Sequence, residues 1–259
     1  MKDFYERFYL AAPASQANAA YCLELYGRNL CQHGFAEISH LDKLVEESAL
    51  GPGMSALDLG CGNGRISEYL LTRSQADYIT GIDYIPEAIH QAQALAATRP
   101  GRLNFQVMDI ANLTFPAASF DVVIAIDTLY FNPLAETLPR IIALLRPGGK
   151  LAAFWSESCD PSKDLATFDR ETIQADKTEL ARELQKLGIH YRTWDYSAAD
   201  YEHARRKERI ARRLKPQFEA EGNLFLYENH IGEALGVQHA YENGAHGRYL
   251  YIATPNFTP

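Results

Sequence analysis

The chain has 259 residues, of which 47% are hydrophobic and 22% charged, and this balance excludes an intrinsically disordered protein. The formal net charge of −8 argues against a polyanionic partner, so a nucleic-acid substrate is not expected. The four cysteines (Cys22, Cys31, Cys61 and Cys159) form no CxxC pair, which favours reduced thiols over a disulfide framework or a zinc site.

The amino-terminal segment is charged and aromatic and lacks the apolar run of a signal peptide. No apolar stretch approaches the length that crosses a bilayer. We therefore expect a cytoplasmic protein. Residues from about 14 to 50 predict two helices broken near Gly34, and Leu41, Leu44 and Val45 recur at helical spacing in the second. Residues 1–50 are thus interpreted as an N-terminal helical cover.

After residue 53, short apolar segments alternate with helical ones, which predicts a parallel sheet with helices on both faces. Helices are expected from Arg65, from Pro86 and after Asn132-Pro133, with Asn132 as an N-cap. Asp121–Ile126 is a β-branched run typical of a strand buried on both faces. The other predicted strands are Met54–Leu59, Tyr78–Asp83, Leu103–Met108 and Lys150–Trp155.

The last hundred residues predict a helix at Thr178–Leu187, ended by Gly188, and a strand at His190–Tyr196. Ser197 is the expected N-cap of a long charged helix that ends near Ala220. A further helix at Asn223–Leu235 and a final strand at Arg248–Thr254 complete the chain. We interpret residues 51–259 as one domain with a helical cap inserted at about 197–240.

The most informative stretch runs from Leu57 to Gly64 and places three glycines on alternate positions after a buried strand. Such a turn lets the backbone approach a ligand, and the helix that follows points free N–H groups at it. Asp83 ends the second strand, where a carboxylate can accept both ribose hydroxyls, and Asp109 ends the third. Ligands bind at this edge of a parallel sheet, so one nucleoside site accounts for all three features.

LDLGCGNGRIS, GIDYIPEAI, VMDI, FDVVIAIDTLYF and LLRPGGKL, in this order, closely resemble the successive motifs of class I S-adenosylmethionine-dependent methyltransferases. The resemblance covers roughly residues 54–156. It implies a Rossmann-like α/β fold with a seven-stranded, mostly parallel sheet and flanking helices. It also implies S-adenosylmethionine as cofactor, S-adenosylhomocysteine as product and a small-molecule acceptor. The N-terminal cover and C-terminal cap resemble those of bacterial small-molecule methyltransferases more loosely.

The resemblance also implies site roles. Gly60 and Gly62 would lie against the methionine part of the cofactor, Asp83 would hold the ribose, and Asp109 with Ile110 would grip the adenine. Asp58 would support the loop and orient the amino group through water. The full set of expected cofactor-binding residues is Asp58, Gly60, Cys61, Gly62, Gly64, Asp83, Tyr84, Ile85, Asp109, Ile110, Ile126 and Asp127.

Methyl transfer from a sulfonium needs alignment and desolvation more than a fixed catalytic group. Asp127 and Tyr130, after the fourth strand, are the candidate catalytic residues. Tyr130 is also expected to contact the acceptor. An aromatic wall against the acceptor is the hypothesis for the amino-terminal tyrosines, with helix packing as the alternative. The candidate acceptor residues are Tyr5, Tyr9, Tyr21, Tyr130, Trp155 and Glu157.

Several alternatives remain open. A nicotinamide or flavin dehydrogenase is disfavoured because Arg65 stands where a GxGxxG fingerprint needs its third glycine. An aminopropyl-type transferase and a non-catalytic S-adenosylmethionine-binding protein stay possible. The basic residues at 205–215 predict a solvated helix face or, less favoured, an anion or RNA contact. His230, His239 and His246 could contribute a base, with ordinary surface or packing histidines favoured, and His230 has no partner at ligand spacing, so no metal is expected.

Overall fold

The computed structural model describes residues 2–159 and 164–256. A seven-stranded sheet with strand order 3-2-1-4-5-7-6 forms the centre of the molecule. Its strands are β1 (Ser55–Leu59), β2 (Tyr78–Asp83), β3 (Leu103–Val107), β4 (Phe120–Ile126), β5 (Leu145–Ser158), β6 (His190–Asp195) and β7 (His246–Thr254). The helices are α1 (Lys2–Ala11), α2 (Gln16–Tyr26), α3 (Ile38–Ser48), α4 (Arg65–Ser74), α5 (Pro86–Ala96), α6 (Leu134–Ala143), α7 (Glu179–Lys186), α8 (Ser197–Ala220) and α9 (Leu224–Glu242).

The sheet is parallel from β3 to β5, and only β7 runs antiparallel, between β5 and β6. Every residue of β1 and five of the seven residues of β4 are buried, because helices cover both faces. One face packs on α3, α4 and α5, and the other on α6 and α7. The predicted class, a Rossmann-like α/β fold with a mostly parallel seven-stranded sheet, is confirmed.

The amino-terminal and late helices share an apolar cluster of their own. Phe8 of α1, Tyr21 of α2, Phe218 of α8 and Leu226 of α9 are fully buried together in it. The sequence pattern predicted α2 and α3 but not α1. Within the described residues, no helix combines the length and hydropathy that a membrane span requires.

Two predicted helix caps are wrong. Asn132 instead follows a short 3₁₀ turn, and Pro133 occupies the N-cap position of α6 without a side-chain bond. Ser197 is the first residue of α8, and its hydroxyl accepts from the Arg248 backbone N–H (3.1 Å) rather than from its own helix. In both cases a neighbouring element prevents the side chain from capping the helix. This element is the preceding 3₁₀ turn for Asn132 and the adjacent strand β7 for Ser197.

Candidate active site

A cleft of about 720 Å³ opens at the carboxyl ends of β1, β2 and β4. Its floor is the glycine-rich turn between β1 and α4. The segment between α2 and α3 and the helix α1 form one side, and residues of α8, α9 and β7 form another. The cleft therefore lies where the sheet, the amino-terminal helices and the late helices meet, at the edge where ligands of open α/β sheets bind.

Gly60, Gly62 and Gly64 all have positive φ, which residues with a side chain adopt only at a cost. Gly60 and Gly62 line the cleft, and a Cβ at either would overlap Thr128 or Tyr9 respectively. Gly64 does not line it. A Cβ there would lie 2.6 Å from Cζ of Phe105, so this glycine serves the close approach of α4 to β3 instead of contacting a ligand.

Asp83 joins the glycine turn to the start of α5. Its Oδ2 accepts from the Gly62 N–H (2.9 Å) and its Oδ1 from the Ile85 N–H (3.0 Å). Burial raises the pKa of this carboxyl, while these N–H donors act in the opposite direction. Asp83 thus presents a buried acceptor group in the cleft, with Tyr84 and Ile85 beside it.

Asp109 lies two residues after the end of β3, is exposed, and caps a short turn by accepting from the Ala111 N–H (2.9 Å). Met108 and Ile110 flank it in the cleft wall. This edge therefore offers one carboxylate between two apolar side chains.

Asp58 is a buried carboxyl of the cleft. Its Oδ2 accepts from the Ser67 hydroxyl (2.5 Å) at the start of α4. Burial raises the pKa of Asp58 to about 7, against the lowering effect of the Ser67 bond, and the nearby Asp83 adds to the rise. Cys61, also in the cleft, has its thiol pKa raised by burial, so this thiol remains protonated.

Asp127 adopts a φ of 56°, unusual for a residue other than glycine, and is held there by Arg248. The guanidinium donates to both Asp127 oxygens (2.7 Å each) and to the Ser156 hydroxyl (3.0 Å). Its Nε also lies 3.3 Å from a carboxylate oxygen of Asp200 on α8. Asp127 borders the cleft with Ile126, but as a paired anion rather than an available base.

Arg248 and Asp200 were missed by sequence reasoning because they come from β7 and α8, far along the chain from Asp127. One signal existed. Arg248 interrupts an otherwise apolar and aromatic strand, and it is only 2% exposed. A buried charge requires a charged partner, which the sequence pattern alone does not identify.

Tyr5, Tyr9 and Tyr130 line the cleft as expected. Tyr21, Trp155 and Glu157 do not, which corrects their assignment to the acceptor pocket. Tyr21 is fully buried and stacks on His230 (ring centroids 3.9 Å apart) in the apolar cluster of the helices. Trp155 is buried on the α6–α7 face and donates to Glu157 (3.0 Å), which also accepts from the Glu179 N–H at the start of α7.

Two histidines line the cleft beside carboxylates. His33 Nδ1 lies 3.4 Å from Glu233, and His246 Nε2 lies 3.6 Å from Asp200. Glu233 is also paired with the fully buried Lys207, whose Nζ donates to the His33 carbonyl (3.2 Å). Burial lowers the pKa of His33, with Glu233 opposing and Lys207 reinforcing that effect, so its imidazole is neutral at pH 7.

His230, His239 and the basic residues of α8 do not line the cleft and are engaged in other contacts. His230 Nε2 contacts Asn18 Oδ1 (2.9 Å) inside the helical cluster, and His239 lies on α9 near Asn243. The described residues hold no group of three or more potential metal ligands. Six basic residues of α8 pair with carboxylates: Arg205, Arg206, Lys207, Arg212, Arg213 and Lys215.

The chain is similar to known proteins over the part that contains β1 to β4 and most of the cleft floor. Residues 56–149 match the family described as "Methyltransferase domain". The chain is 33% identical over 141 residues to O-methyltransferase resE of Aspergillus sclerotiorum, covering 52% of this chain and 53% of that protein. It is 34% identical over 142 residues to 27-O-demethylrifamycin SV methyltransferase of Amycolatopsis mediterranei, covering 50% and 52%. The chain thus spans about half the length of the curated relatives it matches.

Solved structures support the fold over a longer stretch. The cyclopropane synthase MmaA2 from Mycobacterium tuberculosis superposes with a TM-score of 0.70 at 15% identity, over 95% of this chain and 98% of that one. The [4+2]-cyclase SpnF superposes with a TM-score of 0.62 at 21% identity, over 84% and 81%. These likenesses concern the fold alone. The matched family shows that residues 56–149 form a methyltransferase domain, and the motifs of residues 54–156 resemble those of class I S-adenosylmethionine-dependent methyltransferases.

Proposed function

We propose that this protein transfers the methyl group of S-adenosylmethionine to a hydroxyl oxygen of a small, largely apolar acceptor. The observation that carries the proposal is the cleft, where bare glycine backbone and the strand-end carboxyls Asp83 and Asp109 meet. Curated relatives named as O-methyltransferases favour oxygen over nitrogen, sulfur or carbon as the methylated atom. A cytoplasmic location and an acceptor other than nucleic acid are part of this proposal.

The residues of the cleft fit the cofactor. Asp83 would accept from the ribose hydroxyls, and Asp109 with Met108 and Ile110 would hold the adenine. Gly60 and Gly62 would admit the methionine part, and Asp58 lies nearby to attract its amino group. The bound cofactor supplies a methyl on a sulfonium, whose departure needs no acid. We assign these roles to residues 51–259, with residues 1–50 as cover and about 197–240 as cap.

The acceptor would enter over an aromatic rim. Tyr84, Tyr130 and Phe131 keep 37%, 44% and 42% of their surface exposed at the cleft although they are large and apolar. Tyr5 packs edge-on against Phe131 (centroids 6.1 Å apart) and closes the rim from α1. Such a surface binds a flat or apolar molecule better than a strongly hydrated one, and it excludes water from the hydroxyl that is to be methylated.

The acceptor hydroxyl must lose its proton as the new O–CH₃ bond forms and the S–CH₃ bond breaks. Asp127 is a poor base because Arg248 occupies both of its oxygens. His33 is the candidate base, because its imidazole is neutral and Glu233 stabilises the imidazolium that forms on proton transfer. Arg248 instead orients Asp127 beside the cofactor end of the cleft.

The test is incubation with methyl-labelled S-adenosylmethionine and matched panels of phenols, alcohols, amines and thiols. We expect label on hydroxyl compounds only. Asp83→Asn is expected to raise the cofactor Kd at least about tenfold, since a hydrogen bond to a charged group contributes about 1.5–3 kcal/mol. Asp42→Asn, the same change on the α3–α4 surface, serves as the control. Tight cofactor binding without label transfer to any acceptor would contradict the proposal and favour a non-catalytic protein.

A further inference from the structure

A second cavity, of about 320 Å³, lies between the start of α4, the end of α5 and the segment that follows α2. Three arginines line it, Arg28, Arg65 and Arg99, with a single carboxylate, Glu68. Leu30 lines both this cavity and the cleft, so the two are neighbours separated by one stretch of chain. None of the residues proposed for methyl transfer lies in it.

The positive charge in this cavity is largely uncompensated. Arg28 has no carboxylate within ion-pair distance in the described part of the chain, and Arg65 Nη1 donates only to the Asn29 carbonyl (2.9 Å). Arg99 Nε lies 3.4 Å from Glu68. Three guanidinium groups against one carboxylate leave an excess of two positive charges, in a chain whose formal net charge is −8.

Arg73, on the same helix as Arg65, lies 2.7 Å from Asp42, and Arg146 lies 2.5 Å from Asp121. Arg28 and Arg99 are exposed to solvent, and like charges gathered around a concave surface raise the local positive potential, which attracts an anion. Guanidinium groups match phosphate geometry through paired N–H donors. The cavity is therefore shaped and charged for an oxyanion.

Neutral groups at the same wall complement this charge. The Asn29 side-chain oxygen accepts from the Cys31 N–H (3.1 Å), which leaves its amide nitrogen as a donor, and the Thr72 hydroxyl adds another. Leu95 and the ring of Tyr69 supply apolar surface for an organic group. Free phosphate would fill only part of a volume of about 320 Å³, so a phosphate ester with a small organic group fits better.

We propose that this arginine cavity binds a small phosphate-bearing metabolite, a phosphomonoester or a diphosphate, at a site separate from the methyl-transfer cleft. Arg28 and Arg99 would hold the phosphate oxygens. Arg65 would do so while keeping its bond to Asn29, which places the bound anion next to the chain segment that borders the cleft.

Calorimetric titration of the whole protein with inorganic phosphate and with pyrophosphate, at ionic strength held constant with KCl, tests the proposal. Saturable binding is expected, stronger for pyrophosphate. Arg28→Ala is expected to weaken it at least about tenfold, because a charge-assisted hydrogen bond contributes about 1.5–3 kcal/mol, and Arg99→Ala to weaken it as well. Circular dichroism spectra would establish that each variant is folded.

Two controls make the result decisive. Arg73→Ala removes an exposed guanidinium from the same helix but outside the cavity, and pyrophosphate affinity should not change. Asp83→Asn alters the cleft and should leave pyrophosphate affinity intact as well, which separates this site from the proposed cofactor site. Absence of saturable heat, or an equal loss of affinity in Arg28→Ala and Arg73→Ala, would overturn the proposal.

Discussion

At the scale of single residues, the cleft combines carboxyl groups whose surroundings differ sharply. Asp109 is exposed, Asp127 is paired with Arg248, and Asp58 is buried with only the Ser67 hydroxyl as a side-chain donor. The pKa of Asp58 is consequently raised to about 7. Such a group changes protonation state near neutral pH, so whatever binds beside it is coupled to proton uptake or release.

We predict that cofactor binding strengthens as pH rises from 6 to 7.5. The cationic amino group favours the ionised form of Asp58, so below pH 7 binding must expel a proton, which weakens the affinity by up to about tenfold per pH unit. Calorimetry in buffers of different ionisation enthalpy would measure the released proton. Asp58→Asn should abolish the pH dependence of cofactor binding. Asp109→Asn should lower the affinity for the cofactor but retain the pH dependence. An unchanged pH profile in Asp58→Asn would rule out this role.

The residues on the contiguous motifs were predictable, because the end of a strand fixes where its last side chain and the next one or two residues lie. Asp83, Asp109 and Asp127 illustrate this, since all three line the cleft. His33, Glu233 and Arg248 were not assigned to the site from sequence. They reach the cleft from a loop, a late helix and the last strand, and only tertiary packing brings them together.

At the scale of secondary-structure elements, the turn from β1 to α4 depends on glycine for two different reasons. Gly60 and Gly62 are needed because the side chains of Thr128 and Tyr9 pack directly against the turn. Gly64 is needed because α4 approaches β3 closely at this residue. The family resemblance assigned all three to the cofactor, but Gly64 is a packing residue.

Gly64→Ala is expected to destabilise the protein by about 2–5 kcal/mol. The φ of 78° costs roughly 1–2 kcal/mol for a residue with a side chain, and the contact with Phe105 adds an overpacking cost of about 1–3 kcal/mol. Gly188→Ala is the matched control, because its φ of 66° is similar but a Cβ there would meet nothing within 4 Å. Denaturant unfolding of both variants would test this, and equal losses of stability would show that packing at Gly64 is unimportant.

Strand and helix bodies followed the hydrophobic pattern closely, and the predicted and observed limits of β2 coincide. The ends of elements were less predictable. Asn132 and Ser197 are both residue types that commonly cap helices. Pro133 occupies the N-cap position of α6 instead of Asn132, and the Ser197 hydroxyl accepts from the backbone N–H of Arg248 instead of from its own helix. β5 extends to Ser158 because β7 pairs with it, a partner that local sequence does not reveal.

At the scale of the whole molecule, the amino-terminal helices and the late helices α8 and α9 stand on a common apolar cluster next to the cleft. His230 lies within it, stacked on Tyr21 and bonded to Asn18 of α2. Burial lowers the pKa of His230 well below its ordinary value, and the positive charge of Lys207 and the neighbouring His33 reinforce this.

A histidine with a lowered pKa in the folded state contributes stability that is complete above its unfolded pKa of about 6.5 and is lost on acidification. We therefore predict that His230→Gln loses about 2 kcal/mol less free energy of unfolding between pH 7 and pH 5 than the wild type does. His239→Gln, on the same helix, should behave as the wild type. Chemical denaturation at both pH values provides the measurement, and identical losses in all three proteins would refute the prediction.

The position of α1 over the glycine-rich turn affects how fast a ligand can enter and leave the cleft. The Tyr9 hydroxyl covers Gly62, and the Gln91 amide grips the Tyr9 carbonyl (2.6 Å), which fastens α1 to α5 across the entrance. A molecule resting on Gly62 and the side chain of Tyr9 cannot share that space. If the proposed cofactor rests on Gly62, its loading and release require displacement of Tyr9, and we expect the frequency of that displacement to set an upper limit on turnover.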